Sequence, residues 1–116
     1  MTLTLSEYIA ALSEPSRVIT FEDTLSVIDA HYNFTPTAFK NGEVENPAGE
    51  NSGSCKVFGF AKLHGLSATQ TLEMFAQHYI NVKNEPTGTA HANIRAFMKT
   101  GFEGLAFKAN PLALKS

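Results

Sequence analysis

The stretch FTPTAFKNGEVENPAGENSGSCKVFGFAKLHG, residues 34–65, decides how this chain folds. Its first part is rich in Gly, Asn and Pro and nearly bare of aliphatic side chains. Its last part is strongly apolar and opens on the single cysteine, Cys55. A structureless run of about twenty residues in a compact domain is either functional or disordered. This one leads straight into a helix, so it marks where a working surface is to be sought. The helix is expected to start near Ser54 and to end at Gly65, a good C′ residue, with Leu66 packing back on Phe60 or Ala61. Val57, Phe58, Phe60, Ala61 and Leu63 cover most of its circumference. A helix apolar nearly all round is buried, so this segment is predicted to be the centre of the fold.

Inside the loop, Asn41-Gly42 signals a two-residue type I′ turn, because both residues tolerate positive φ. That turn pairs Lys40 with Glu43 and Phe39 with Val44 across a short hairpin. Pro36 is expected to keep the hairpin's first strand at a sheet edge.

The flanking segments read as helices. Thr4 and Glu7 form a capping box and Leu3 with Tyr8 a hydrophobic staple. Leu5, Tyr8, Ile9 and Leu12 then recur on one helical face, and Pro15 ends the pattern. Thr20 caps a second helix with Glu22 and Asp23 at its positive end; Phe21, Leu25, Ile28 and Tyr32 form its stripe. Ser67 and Gln70 cap a fourth helix whose buried face is Leu72, Phe75, Ala76 and Tyr79. Pro86 and Gly88 break it. A fifth runs from about Thr89 to Gly101, with Ile94, Phe97 and Met98 inward. The tail from Phe102 to Leu114 is expected to wrap over the core. The fold class is thus mainly α, one domain of about five helices around a buried central one. A small β-hairpin or long loop is inserted, and an α+β arrangement stays open.

Composition narrows the function classes. The 116 residues are 43% hydrophobic and 17% charged, which suits a globular chain with a thin charged coat. Net charge is −2 and no run of Lys or Arg exists, so the basic footprint that nucleic acid demands is missing. One cysteine excludes an intrachain disulfide and points to a reducing compartment. The N-terminus lacks the basic and apolar regions of a secretory signal. No run of 18 apolar residues offers a membrane span.

Several residues could carry chemistry. Cys55, at a helix N-terminus beside Lys56, has two features that stabilise a thiolate; a nucleophile would also need a base from His31, His64, His78 or His91. Against this, free cysteine is commonly a small buried hydrophobe, and the apolar helix favours an unreactive, structural Cys55. Asn51, Ser54 and Lys56 at that helix start could meet an anion through backbone N–H groups. Their spacing is not that of a phosphate-binding loop, and cap and turn chemistry explains the same residues. Asn41 joins this set as the turn residue. His91, Asn93 and Arg95 open the fifth helix, and Arg95 could grip a carboxylate or phosphate or tie down the long loop. Glu43, Glu45 and Glu50, with Asn46 and Asn51, offer oxygen ligands without EF-hand spacing. No cofactor or metal is expected.

The blocks FTPTAFKNG, NPAGENSGSCKVFGFAKLHGLS, TLEMFAQHY and NIRAFMKTGFEG resemble the HopJ family of type III effector proteins. The resemblance runs from about Phe21 to Phe107. Phe102 departs from it, standing where similar sequences are expected to carry Trp. What the resemblance implies is a bacterial protein that a pathogen injects into host cells, with no settled biochemical activity. Type III export is expected to need a flexible N-terminal tail, and the Leu3 staple and Thr4 cap leave almost none; the expected location of this chain is the bacterial cytoplasm. The reading is an interaction or effector-like protein whose working surface is the 34–56 loop near the fifth helix. Its partner would be a protein or a small anion. The alternative is a small enzyme or ligand-binding domain using Cys55 and the Asn/Gly-rich loop.

Overall fold

The computed structural model describes residues 4–12 and 19–114. The staple residue Leu3 and the helix-ending Pro15 lie outside them. In chain order the elements are α1 (Leu5–Leu12), α2 (Phe21–His31), β1 (Tyr32–Phe34), β2 (Phe39–Asn41), β3 (Val44–Asn46), α3 (Ser52–His64), α4 (Ala68–Glu73), α5 (Gln77–Asn84) and α6 (Ala92–Thr100). A 3₁₀ turn (Gly101–Gly104), β4 (Leu105–Phe107) and β5 (Leu112–Leu114) complete them. Two small antiparallel sheets form, one ordered β3-β2-β4 and the other pairing β1 with β5. The fold is therefore α+β, and the tail contributes a strand to each sheet rather than only covering the core.

Helix starts follow the local chemistry. Thr4 Oγ1 accepts from the Glu7 amide at 3.1 Å and Glu7 Oε1 from the Thr4 amide at 3.0 Å. Thr20–Asp23 and Ser67–Gln70 close the same reciprocal box. The second helix inserts differently from the expected stripe: its buried residues are Thr24, Val27 and Ile28, while Phe21 and Leu25 are half-buried.

The predicted central helix is central. Cys55, Val57, Phe58, Phe60 and Ala61 of α3 are all 1% exposed or less. Phe60 meets Tyr8 and Tyr32 edge-on, with ring centroids 5.9 and 6.0 Å away. Phe58 packs on Phe39, Phe75 and Phe97 on the opposite side. Gly65 ends the helix in a left-handed conformation, and the amide of buried Leu66 donates back to the Ala61 carbonyl. Leu63, expected in the apolar circumference, is 48% exposed.

Four expectations need correction. The hairpin exists, but its turn is Gly42-Glu43, with Asn41 opposite Val44, Lys40 opposite Glu45 and Phe39 opposite Asn46. The turn moves along by one residue and Phe39 changes partner from Val44 to Asn46, a two-residue shift in pairing that keeps each side chain on its expected face; Asn41 becomes a strand residue, and it and Asn46 point inward, 0% and 2% exposed. Gly42 alone in the turn has positive φ, +61°, the pattern of a II′ rather than a I′ turn. Second, β2 is the middle strand because β4 joins its other side; Pro36 lies upstream and constrains no edge. Third, the fourth helix is two. Residues Met74 to Ala76 tighten into i→i−3 bonds, and Ala76 turns to φ +50°. Contacts to α2 hold the break: Thr24 Oγ1 donates to the Met74 carbonyl at 2.8 Å and Gln77 Oε1 accepts from the Phe21 amide at 2.8 Å. The break seats Met74 and Phe75 in the core, at 0% and 2% exposure. Last, the helix expected from Thr89 begins at Ala92, since His91 is left-handed, and its Met98 faces out at 47% exposure.

Candidate functional site

The Asn-rich loop is held to α6 by its own amides. Asn93, in the first turn of α6, is the hub. Its Oδ1 accepts from Asn41 Nδ2 and Asn46 Nδ2, both at 3.1 Å, and its Nδ2 donates to Asn46 Oδ1 at 2.9 Å. Asn41 Nδ2 also donates to the Asn93 carbonyl at 2.8 Å, and Asn51 Nδ2 donates to Asn46 Oδ1 at 2.7 Å. Amides suit this task because each carries both donors and an acceptor. Asn41 Oδ1 is buried and takes no partner among the described residues.

This network fixes Asn51, the N-cap of α3, near Asn93, and so brings two helix N-termini together. Both N-caps are left-handed and non-glycine: Asn51 at φ +51° and His91 at φ +57°. Asn and His are among the residues that tolerate this region best. Neither N-cap side chain bonds its helix, so the first-turn N–H groups are left for another acceptor. The two termini open onto one cleft of about 390 Å³, lined by Asn51, Gly53 and Ser54 of one and His91, Ala92 and Asn93 of the other.

The remaining wall is aromatic. Phe21 and Phe75 stack with centroids 5.9 Å apart and planes 6° from parallel. His78 stands edge-on to Phe21 at 4.9 Å and 4.9 Å from the His91 ring. His78 Nδ1 is buried without a partner among the described residues. Burial, then the neighbouring His78 and Arg95, push the His91 pKa below its usual value. No carboxylate side chain lines the cleft.

The structure thus gathers three of the sequence candidates, Asn51, Ser54 and His91, in one place. Asn41 lies behind them as a buried support. Lys56 is turned away: its Nζ pairs with Asp29 at 2.8 Å and sits 5.1 Å above the Phe34 ring. Arg95 clamps a loop, but not the long one. Its Nε donates to the Ala90 carbonyl at 2.6 Å and its Nη1 to the Pro86 carbonyl at 3.3 Å, closing the connection between α5 and α6. Cys55 is 1% exposed and its Sγ donates to the Thr37 carbonyl at 3.6 Å. Burial pushes its thiol pKa up. Among the described residues no three His, Cys, Asp or Glu side chains gather as a metal site.

Sequence reasoning missed the place of His78 and the Phe21–Phe75 wall. His78 sits thirteen positions before His91 on a different helix, and no local spacing signals their meeting.

No curated protein matches. A crystal structure described as that of the unknown-function protein VPA0580 shares 43% sequence identity, with a TM-score of 0.93, over 99% of this chain and 97% of that one. The HopJ type III effector protein family matches residues 5–112, and the chain belongs to it.

Proposed function

We propose that the chain is an effector-like binding protein whose working surface is the cleft between the N-termini of α3 and α6. The convergence of two helix N-termini without side-chain caps on one pocket carries this reading. Each end holds about half a positive charge and free N–H donors, so the cleft favours an anionic group, a carboxylate or a phosphate. His78 and His91 add donors, and the Phe21–Phe75 wall adds apolar contact for whatever carries the charge. Action inside a host cell is what membership of a type III effector family implies.

The alternative, catalysis through Cys55, draws little support. The thiol faces a carbonyl in the core rather than the cleft, and burial holds it in the protonated form.

The test is an NMR titration of the labelled protein with inorganic phosphate. The expected result is saturable shifts of the amides of residues 52–54 and 92–94, with Kd in roughly the millimolar range. The His91→Ala protein should bind more weakly. Shifts that are absent, or spread evenly over the surface, would overturn the assignment.

A further inference from the structure

The cleft does not end at His91. Val44 and Ala92 line it and also line a second groove of about 440 Å³ that continues beside α6. The groove is bounded by small residues, Gly42, Gly88, Ala92 and Ala96, which let a backbone approach closely. Arg95 and Lys99 stand along it, against one carboxylate, Glu43. The Arg95 guanidinium is fixed by its bonds to the Ala90 and Pro86 carbonyls, so its charge occupies a set position, while Lys99 is exposed.

We infer that the occupant of this continuous surface is an extended acidic segment of a partner protein, one acidic group seated in the cleft and the following residues lying along α6 past Arg95 and Lys99. The inference rests on the cleft being an anion site. Charge complementarity carries it. Two cations face one carboxylate in the groove, and the adjoining cleft offers two positive helix ends and no carboxylate side chain. The path from Ala92 to Lys99 is about 10 Å of helix, so three extended residues span it at about 3.3 Å each. With the cleft group, a segment of about five residues fills the whole surface. A nucleic-acid strand is the less suited polyanion, since the chain has net charge −2 and no basic run.

The experiment measures binding of fluorescein-labelled pentaglutamate, pentaserine and oligo(dT) of five nucleotides to the whole chain, with inorganic phosphate as competitor. Pentaglutamate should bind at least about tenfold tighter than phosphate, because cleft and groove are engaged together, and phosphate should compete with it. Lys99→Glu should weaken pentaglutamate about fivefold and leave phosphate binding unchanged. Lys108→Glu, the same charge change on a residue lining neither cavity, should leave both unchanged. Pentaserine binding equal to pentaglutamate, or equal losses in the two lysine variants, would sink the groove while phosphate binding keeps the cleft. Tighter binding of the oligonucleotide would overturn the choice of a protein partner. Phosphate failing to bind would remove the cleft reading and with it this one.

Discussion

Replacing Asn93 by alanine tests whether the amide hub is what joins the loop to α6. The side chain makes three hydrogen bonds, at 3.1, 3.1 and 2.9 Å, with Asn41 and Asn46. All three residues are 6% exposed or less, so water does not replace the lost partners without rearrangement. A buried hydrogen bond contributes about 1 kcal/mol net, which sets a loss of about 3 kcal/mol. Two compensations keep the figure from rising further. Asn41 Nδ2 retains the Asn93 carbonyl, and Asn46 Oδ1 retains Asn51 Nδ2. Asn46 Nδ2 is left with only the long 3.4 Å contact to the Val44 carbonyl. The assay is urea denaturation at pH 7 followed by circular dichroism, with Asn81→Ala on the exposed face of α5 as control. The control should change stability by less than about 0.5 kcal/mol. An Asn93→Ala loss below about 1 kcal/mol, with an unchanged denaturant slope, would refute the hub. Since the same bonds seat Asn51, the variant should also lose phosphate-induced shifts at residues 52–54.

Phe60→Ala should cost about 3–5 kcal/mol in the same titration, because Phe60 is fully buried between Tyr8, Tyr32 and His64; a loss under about 1 kcal/mol would mean α3 is peripheral. Cys55 should alkylate with iodoacetamide more slowly than a free thiol across pH 7–9, since it is 1% exposed and its pKa is raised by burial; faster labelling, with an apparent pKa below about 8.5, would promote the enzyme alternative. His64, whose pKa burial holds below its usual value, binds its proton more readily in the unfolded chain. Its contribution is therefore whole above about pH 6.5 and declines as pH falls below that value. His64→Phe should flatten the stability profile between pH 7 and 5, and an unchanged slope would exclude His64 as its source.

Much of this architecture is legible in the sequence because it is set by local chemistry. The Thr4, Thr20 and Ser67 caps, the Gly65 terminus and the apolar girth of α3 depend on neighbours within one or two turns. What was misread depends on distant partners. The hairpin turn moves along by one residue, so that Asn41 joins the strand, where it and Asn46 bind Asn93, about fifty positions away. The break after Glu73 is held by α2, through Thr24 to the Met74 carbonyl and the Phe21 amide to Gln77, and no propensity predicts a positive φ at Ala76. The tail strands escaped notice because β4 and β5 are three residues each and find their partners far back in the chain. Of the site, residue types were readable and assembly was not. Asn51, Ser54 and His91 converge only once the amide network has placed two helices end to end.

Three non-glycine residues hold positive φ among the described residues: Asn51 and His91, which line the cleft, and Ala76, next in the chain to its Phe75 wall. Asn51 and His91, in the left-handed helical region, each give up about 1–2 kcal/mol relative to an ordinary backbone angle; Ala76, at φ +50° and ψ −119°, lies outside that region, and the surrounding contacts must outweigh the strain. Such positions do not hop between conformers as glycine would. The consequence is kinetic. On the proposed reading, a cleft with such rims should need no slow opening step, so encounter itself should set the rate of capture, at about 10⁵–10⁷ M⁻¹s⁻¹ for a protein partner. Differences in how long partners stay bound would then arise from dissociation alone, with single-exponential association whose rate rises linearly with partner concentration.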